Sequence, residues 1–138
     1  MARVQATERP ARPAEDQEAA KRCLVAIIED DAEFRTMLRE LLEEEQYRVV
    51  GLANGAEALE ALRGDALPNV ILLDVSMPVM DGFDFLRFRN EDPQLAAVPV
   101  VLVTNAKPHE RPTIGVNDVV RKPIDIDEIL FAIKRYCV

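Results

Sequence analysis

Apolar positions recur along this chain in two alternating rhythms. Cys23–Ile28, Asn69–Val75 and Val98–Val103 are nearly continuous apolar runs rich in β-branched residues. Runs of this kind, without polar alternation, predict strands buried on both faces. Arg48–Leu52 and Asp118–Arg121 predict two shorter strands. Between them the spacing turns helical. Phe34, Met37, Leu38, Leu41 and Leu42 fall at i, i+3, i+4, i+7 and i+8, one apolar stripe, and Asp30 or Asp31 can cap it. Asn54 and Glu57 form a capping-box pair before a helix carrying Ala58, Leu59 and Leu62. Gly82 to about Glu91 predicts a helix with Phe83 and Leu86 inward and Phe85 as a further candidate. Asp125 and Glu128 open a last helix with Ile126, Ile129, Leu130 and Ile133 as its stripe. Strands alternating with helices predict a parallel α/β sheet covered on both faces, joined by right-handed crossovers.

The chain has 138 residues, enough for one domain with a proper core, and rules out a repeat array or a multi-domain enzyme. Residues 1–22 lack apolar periodicity, hold Pro10 and Pro13, and read as a loose tail, leaving 23–138 as the folded unit. The net charge is −8. Five bases against four acids make the tail +1, so the folded part carries −9. Its bases are scattered, which argues against nucleic acid as a partner. No apolar run reaches the ~18 residues of a membrane span, so no membrane insertion is expected. The N-terminus has no signal-peptide core, which points to the cytoplasm. Cys23 and Cys137 fall at the sheet edge opposite the strand carboxyl ends. They could approach one another, but a cytoplasmic chain favours free thiols.

In open parallel sheets the site lies beyond the carboxyl ends of the strands. Strand one ends in Glu29, Asp30 and Asp31, strand three at Asp74, strand four at Thr104, and strand five at Lys122-Pro123. Each has an ordinary reading: a helix cap, a turn residue, a strand-end threonine, a surface lysine. Together they would require four coincidences at four separate strand ends. Glu29, Asp30 and Asp74 in one pocket repel unless a cation neutralises them. A hard divalent ion suits such oxygen donors, and Mg²⁺ suits best because it accepts few carboxylates beside a phosphate. Lys122 adds a mobile positive charge and Thr104 a hydroxyl donor. The set predicts phosphoryl transfer with ionised Asp74 as nucleophile.

These residues carry a family resemblance. Ile28-Glu29-Asp30-Asp31 resembles the first acidic motif of the receiver domain of two-component response regulators. Asp74-Val75-Ser76-Met77-Pro78-Val79-Met80-Asp81-Gly82 resembles its phosphoacceptor segment, and Gly115, Asp118 and Lys122-Pro123 its closing motif. The resemblance runs from about Cys23 to the C-terminus. It implies a flavodoxin-like doubly wound sheet of five parallel strands, order 2-1-3-4-5. It implies that Asp74 accepts a phosphoryl group from a histidine kinase or phosphotransfer protein and passes the signal to an unnamed downstream protein. It implies Mg²⁺ held by Asp30, Asp74 and the Ser76 carbonyl, with Glu29 acting through water. It further implies Thr104 and Lys122 as phosphoryl contacts, and a cis Lys122–Pro123 bond. Asp31 is left as a cap. The module takes part in its own phosphorylation but is not an enzyme.

Three departures stand out. Only ten residues, Asn105 to Ile114, separate Thr104 from Gly115, and they include Pro108 and Pro112. A parallel crossover takes about a dozen residues or more, and proline opposes helix. The fourth helix, between strands four and five, is therefore expected to be short or missing. Val119 stands three before the lysine, where the family usually has an aromatic that swings inward. Asn105 follows Thr104, where alanine or glycine is usual. Ser76 and Ala106 hold positions that tune aspartyl-phosphate hydrolysis in the family. His109, the only histidine, reads as solvated in a proline-rich loop.

Other classes fit less well. A haloacid-dehalogenase-type phosphatase needs an acid two residues after its nucleophile, and Ser76 stands there. A flavodoxin needs a hydroxyl- or glycine-rich phosphate loop after strand one, and acids stand there. The alternative that remains is a pseudo-receiver scaffold that binds without phosphorylation. With 138 residues given to one receiver and a tail, no attached output domain is expected.

Overall fold

The computed structural model describes residues 12–64, 67–75, 82–112 and 114–137. Strands β1 (Leu24–Ile28), β2 (Arg48–Leu52), β3 (Val70–Leu73), β4 (Val100–Thr104) and β5 (Asp118–Arg121) form one sheet. Their order is β2-β1-β3-β4-β5 and every neighbouring pair is parallel, as expected. Helices are α1 (Ala14–Lys21), α2 (Ala32–Glu44), α3 (Gly55–Ala61), α4 (Gly82–Glu91), α5 (Pro93–Ala96) and α6 (Ile126–Lys134).

Alternation along the strands sorts the core into two layers. Val25, Ile27, Val70, Leu72, Val101 and Val103 face α2 and α6, packing on Leu38, Leu42, Ile129 and Ile133. Ala26, Ile28, Ile71, Leu73, Val100 and Leu102 face the other way, onto Ala58 of α3, Phe85 and Leu86 of α4 and Leu95 of α5. Carboxylate and amide caps start α2, α3, α5 and α6. Asp31 accepts from the Glu33 and Phe34 amides, Asn54 from Glu57, Asp92 from Gln94 and Leu95, and Asp125 from Asp127. Asp31 rather than Asp30 caps α2, so Asp30 is left at the strand end.

The structure differs from the sequence reading at four places. First, residues 12–22 are not all loose: α1 packs on the α2/α6 layer through Ala20, which is buried. The Arg12 guanidinium lies 5.2 Å from the Tyr47 ring centroid and donates to the Glu45 carbonyl, and Lys134 pairs with Asp16 at 2.8 Å. Tertiary contacts sustain this eight-residue helix, because its own apolar stripe is nearly absent. Second, Cys23 and Cys137 are disulfide-bonded, with Cα atoms 5.3 Å apart, correcting the expectation of free thiols. Topology placed both at one edge, and geometry prevailed over the argument from compartment. Third, Phe83 is exposed and Phe85 is fully buried, because Phe85, Leu86 and Arg89 form the inward face of α4. Fourth, a short additional helix, α5, starts at Asp92-Pro93, where the Asp92 cap and a proline at the first position favour it.

The crossover between β4 and β5 bears out its expectation. Its described residues hold no α-helix, only a 3₁₀ turn at Pro108–Glu110, closed by the Glu110 carboxylate accepting from the Lys107 amide. His109 is exposed in that turn. Gly115 ends the segment at φ +87°, a left-handed conformation that glycine adopts without penalty. A Cβ there would lie 2.8 Å from an Arg89 guanidinium nitrogen.

Candidate functional site

The carboxyl ends of β1, β3, β4 and β5 bring the predicted strand-end residues to one edge. Carboxylate oxygens of Glu29, Asp30 and Asp74 lie within 4.8 Å of one another. Glu29 and Asp74 are buried and Asp30 is exposed, so the cluster opens to solvent on one side. Lys122 arrives from the loop after β5, with a cis bond to Pro123. Its ammonium is 2.8 Å from Glu29 and 3.7 Å from Asp74. Thr104 is buried at the end of β4. Its hydroxyl accepts from the Ala106 amide, and its carbonyl accepts from the Lys122 amide. Ser76 lies outside the described residues.

Burial raises the Glu29 carboxyl from 4.5 to about 7. The Lys122 ammonium and the Asp31 amide oppose that rise, and the nearby Asp74 charge adds to it. Fully ionised, three carboxylates against one ammonium leave two uncompensated negative charges. A hard dication with oxygen preference matches that deficit in charge and donor type.

Two supporting residues escaped the sequence reading. Arg35, on α2, donates to the Glu29 backbone carbonyl at 2.6 Å, and its aliphatic stem runs past Gly51. Phe34, read only as part of the α2 stripe, carries the Lys122 ammonium 4.4 Å from its ring centroid. Helical spacing showed that both sit in the first turns of α2, but not which strand end they reach. Of the departures, Val119 is half-buried against the α3/α4 layer and Asn105 is exposed. Gly82 closes the segment after β3: its amide donates to the Val75 carbonyl at 2.7 Å, and a Cβ would press to 2.8 Å from the Val75 Cα.

Comparison with known proteins agrees with this geometry. The chain is 40% identical over 111 residues to the response regulator PleD of Caulobacter vibrioides, covering 77% of this chain but 24% of PleD. It is 30% identical over 116 residues to the polar-differentiation response regulator DivK of Brucella anthropi, covering 81% of this chain and 94% of DivK. Among solved structures, it is similar to the receiver domain of the sensor histidine kinase PA1611 from Pseudomonas aeruginosa. There the TM-score is 0.76 at 25% identity, covering 83% of this chain and 97% of that one; that receiver holds a magnesium ion in its active-site cleft. The model of the response regulator receiver domain matches residues 25–134. Sheet order, strand-end residues and this match agree, and the chain belongs to the receiver-domain family of two-component response regulators.

Proposed function

We propose that the protein is a phospho-accepting switch in which Asp74 takes a phosphoryl group from a phosphohistidine donor. The observation that carries this reading is the convergence of the Glu29, Asp30 and Asp74 carboxylates within 4.8 Å, with Lys122 spanning two of them. An Asp74 oxygen attacks phosphorus; the O–P bond forms as the P–N bond breaks, and the electron pair leaves on the imidazole nitrogen. No general base is needed, because the ionised carboxylate is already the nucleophile. Lys122 can turn from Glu29 toward the incoming phosphoryl oxygens while Phe34 keeps its ammonium at the site. The Thr104 hydroxyl accepts from Ala106 and keeps its own hydrogen to donate. Glu29, Asp30 and Asp74, with the Ser76 carbonyl, would hold Mg²⁺, which supplies charge neutralisation for the transferring group.

The receiver unit is assigned to 23–138, with residues 1–22 outside it and α1 docked against it. The partners proposed are a histidine kinase or phosphotransfer protein and a downstream protein that senses the phosphorylated form. The cytoplasmic placement follows from that donor; no described helix is long and apolar enough to cross a membrane. The pseudo-receiver alternative draws on Asn105 and on the lack of an α-helix among the described residues of the β4–β5 crossover; the convergence of Glu29, Asp30 and Asp74 with Lys122 weighs against it.

Transfer from an autophosphorylated histidine kinase tests the reading. Label is expected to pass from the kinase to this chain and to be lost with Asp74→Asn. Equal labelling of that variant would remove Asp74 from its role.

A further inference from the structure

Among the described residues the β4–β5 crossover holds no α-helix, and this bears on α4. The sheet runs on in one direction from β1 through β3 and β4 to β5. Right-handed crossovers therefore put the β3–β4 and β4–β5 connections on the same face. A helix in the second connection would pack beside α4, and none is described there. Phe83, Leu86, Arg87 and Asn90 fall at i, i+3, i+4 and i+7, one stripe of α4 turned toward that gap. With Arg111, Pro112 and Ile114 they line an open groove of 420 Å³. Phe83 is 47% and Ile114 79% exposed, large apolar side chains left to water.

The groove is also charged against the grain of the molecule. The chain carries −8, yet among the described residues Arg87 and Arg111 line this groove and no carboxylate does. Arg87 pairs with Asp84 at 3.2 Å, but both side chains are exposed and such a pair is easily exchanged. Arg111 spends its Nε on the Ala106 carbonyl, leaving its terminal N–H groups. Behind the stripe, Arg89 is buried without a carboxylate. It donates to the Val98 carbonyl and, at 2.7 Å, to the Asn90 side chain, and its Nε has no partner. That guanidinium lies beside Gly115 and, through its bond to Asn90, puts a third positive charge next to the groove lining.

We propose that this groove is a docking site for an acidic segment of a partner protein, one bearing a large apolar side chain flanked by carboxylates. The apolar anchor would cover Phe83 and Ile114, and the carboxylates would meet Arg87 and Arg111. An acidic segment is repelled by most of this surface and finds its complement here, which gives the contact its register. The inference goes beyond the phosphoryl reading and does not depend on Asp74.

A random twelve-residue peptide library displayed on phage and selected on the full-length chain tests it. Enriched peptides are expected to be acidic with a Phe, Leu or Ile anchor. Their synthetic versions should bind about tenfold or more weakly to Arg87→Glu and Ile114→Asp. Charge-reversed peptides should recover binding to Arg87→Glu/Arg111→Glu. Both single variants replace exposed side chains, and unchanged melting will show that they fold. Running the same binding on Asp74→Asn separates this proposal from the phosphoryl one: binding retained there supports the groove whatever becomes of phosphorylation. The proposal is overturned by no enrichment, by basic or neutral consensus peptides, or by binding indifferent to the groove variants. It is also overturned by light scattering that shows these residues govern self-association, which would make the occupant a second copy.

Discussion

Glu29 is the residue on which the electrostatics of the site turn. It is buried between Lys122 and Asp74, and burial lifts its carboxyl to about 7. In metal-free protein the folded state then keeps a proton that the unfolded chain releases above 4.5. This contribution to stability is complete below about 4.5 and is lost as pH rises through 7. Urea melts in chelator should show that loss, and Glu29→Gln should flatten it; an unchanged slope would place the titration elsewhere. Gly115 is the second residue with a sharp prediction. Alanine there meets both a positive φ and the Arg89 guanidinium. A loss of about 1–3 kcal/mol is expected in the same melts. The candidate site residues were legible in the sequence because strand ends are readable and acids there are unusual. The residues that hold them were not. Arg35 and Phe34 act on β1 and the β5 loop across the fold, and no local spacing announces that.

Elements with strong periodicity were read to within a residue or two, and weak ones were missed. The α2 and α6 stripes and their Asp31 and Asp125 caps appear as expected. The prolines at 108 and 112 announced that the described β4–β5 crossover would hold no α-helix. α1 was invisible because a single buried alanine is its whole apolar face, and its support comes from Tyr47, Glu45 and Lys134, distant in sequence. Arg12→Ala should therefore leave the sheet intact while amides of 14–21 exchange faster, at a cost of about 1 kcal/mol. Protection unchanged in that helix would mean that its packing does not rest on Arg12. Phe83 shows the same logic reversed. Its spacing suits a helix face, but that face meets a gap where a helix would normally lie, so an apolar residue stays exposed.

At the scale of the whole molecule, the site and the disulfide occupy opposite ends of the sheet. Cys23 precedes β1 and Cys137 follows α6, so the bond ties together the two ends of the receiver unit, 114 positions apart. Intact mass without reductant should be two hydrogens below the reduced value. Reduction should lower stability by about 2–5 kcal/mol in denaturant melts, since so long a loop is released in the unfolded chain. Equal stability in both forms would mean that the α2/α6 layer alone fixes this edge. The acidic balance of the chain takes on meaning at this scale too. Three of its carboxylates, when fully ionised, form a site two charges short of neutral, and an arginine-lined groove lies where the described β4–β5 crossover holds no α-helix. Intact mass after incubation with acetyl phosphate tests most directly the proposal that Asp74 accepts a phosphoryl group in a Mg²⁺-dependent step. With Mg²⁺ the chain should gain one phosphoryl group, with none in chelator and none for Asp74→Asn. An unmodified chain in Mg²⁺, or an equal gain by the variant, would contradict the account.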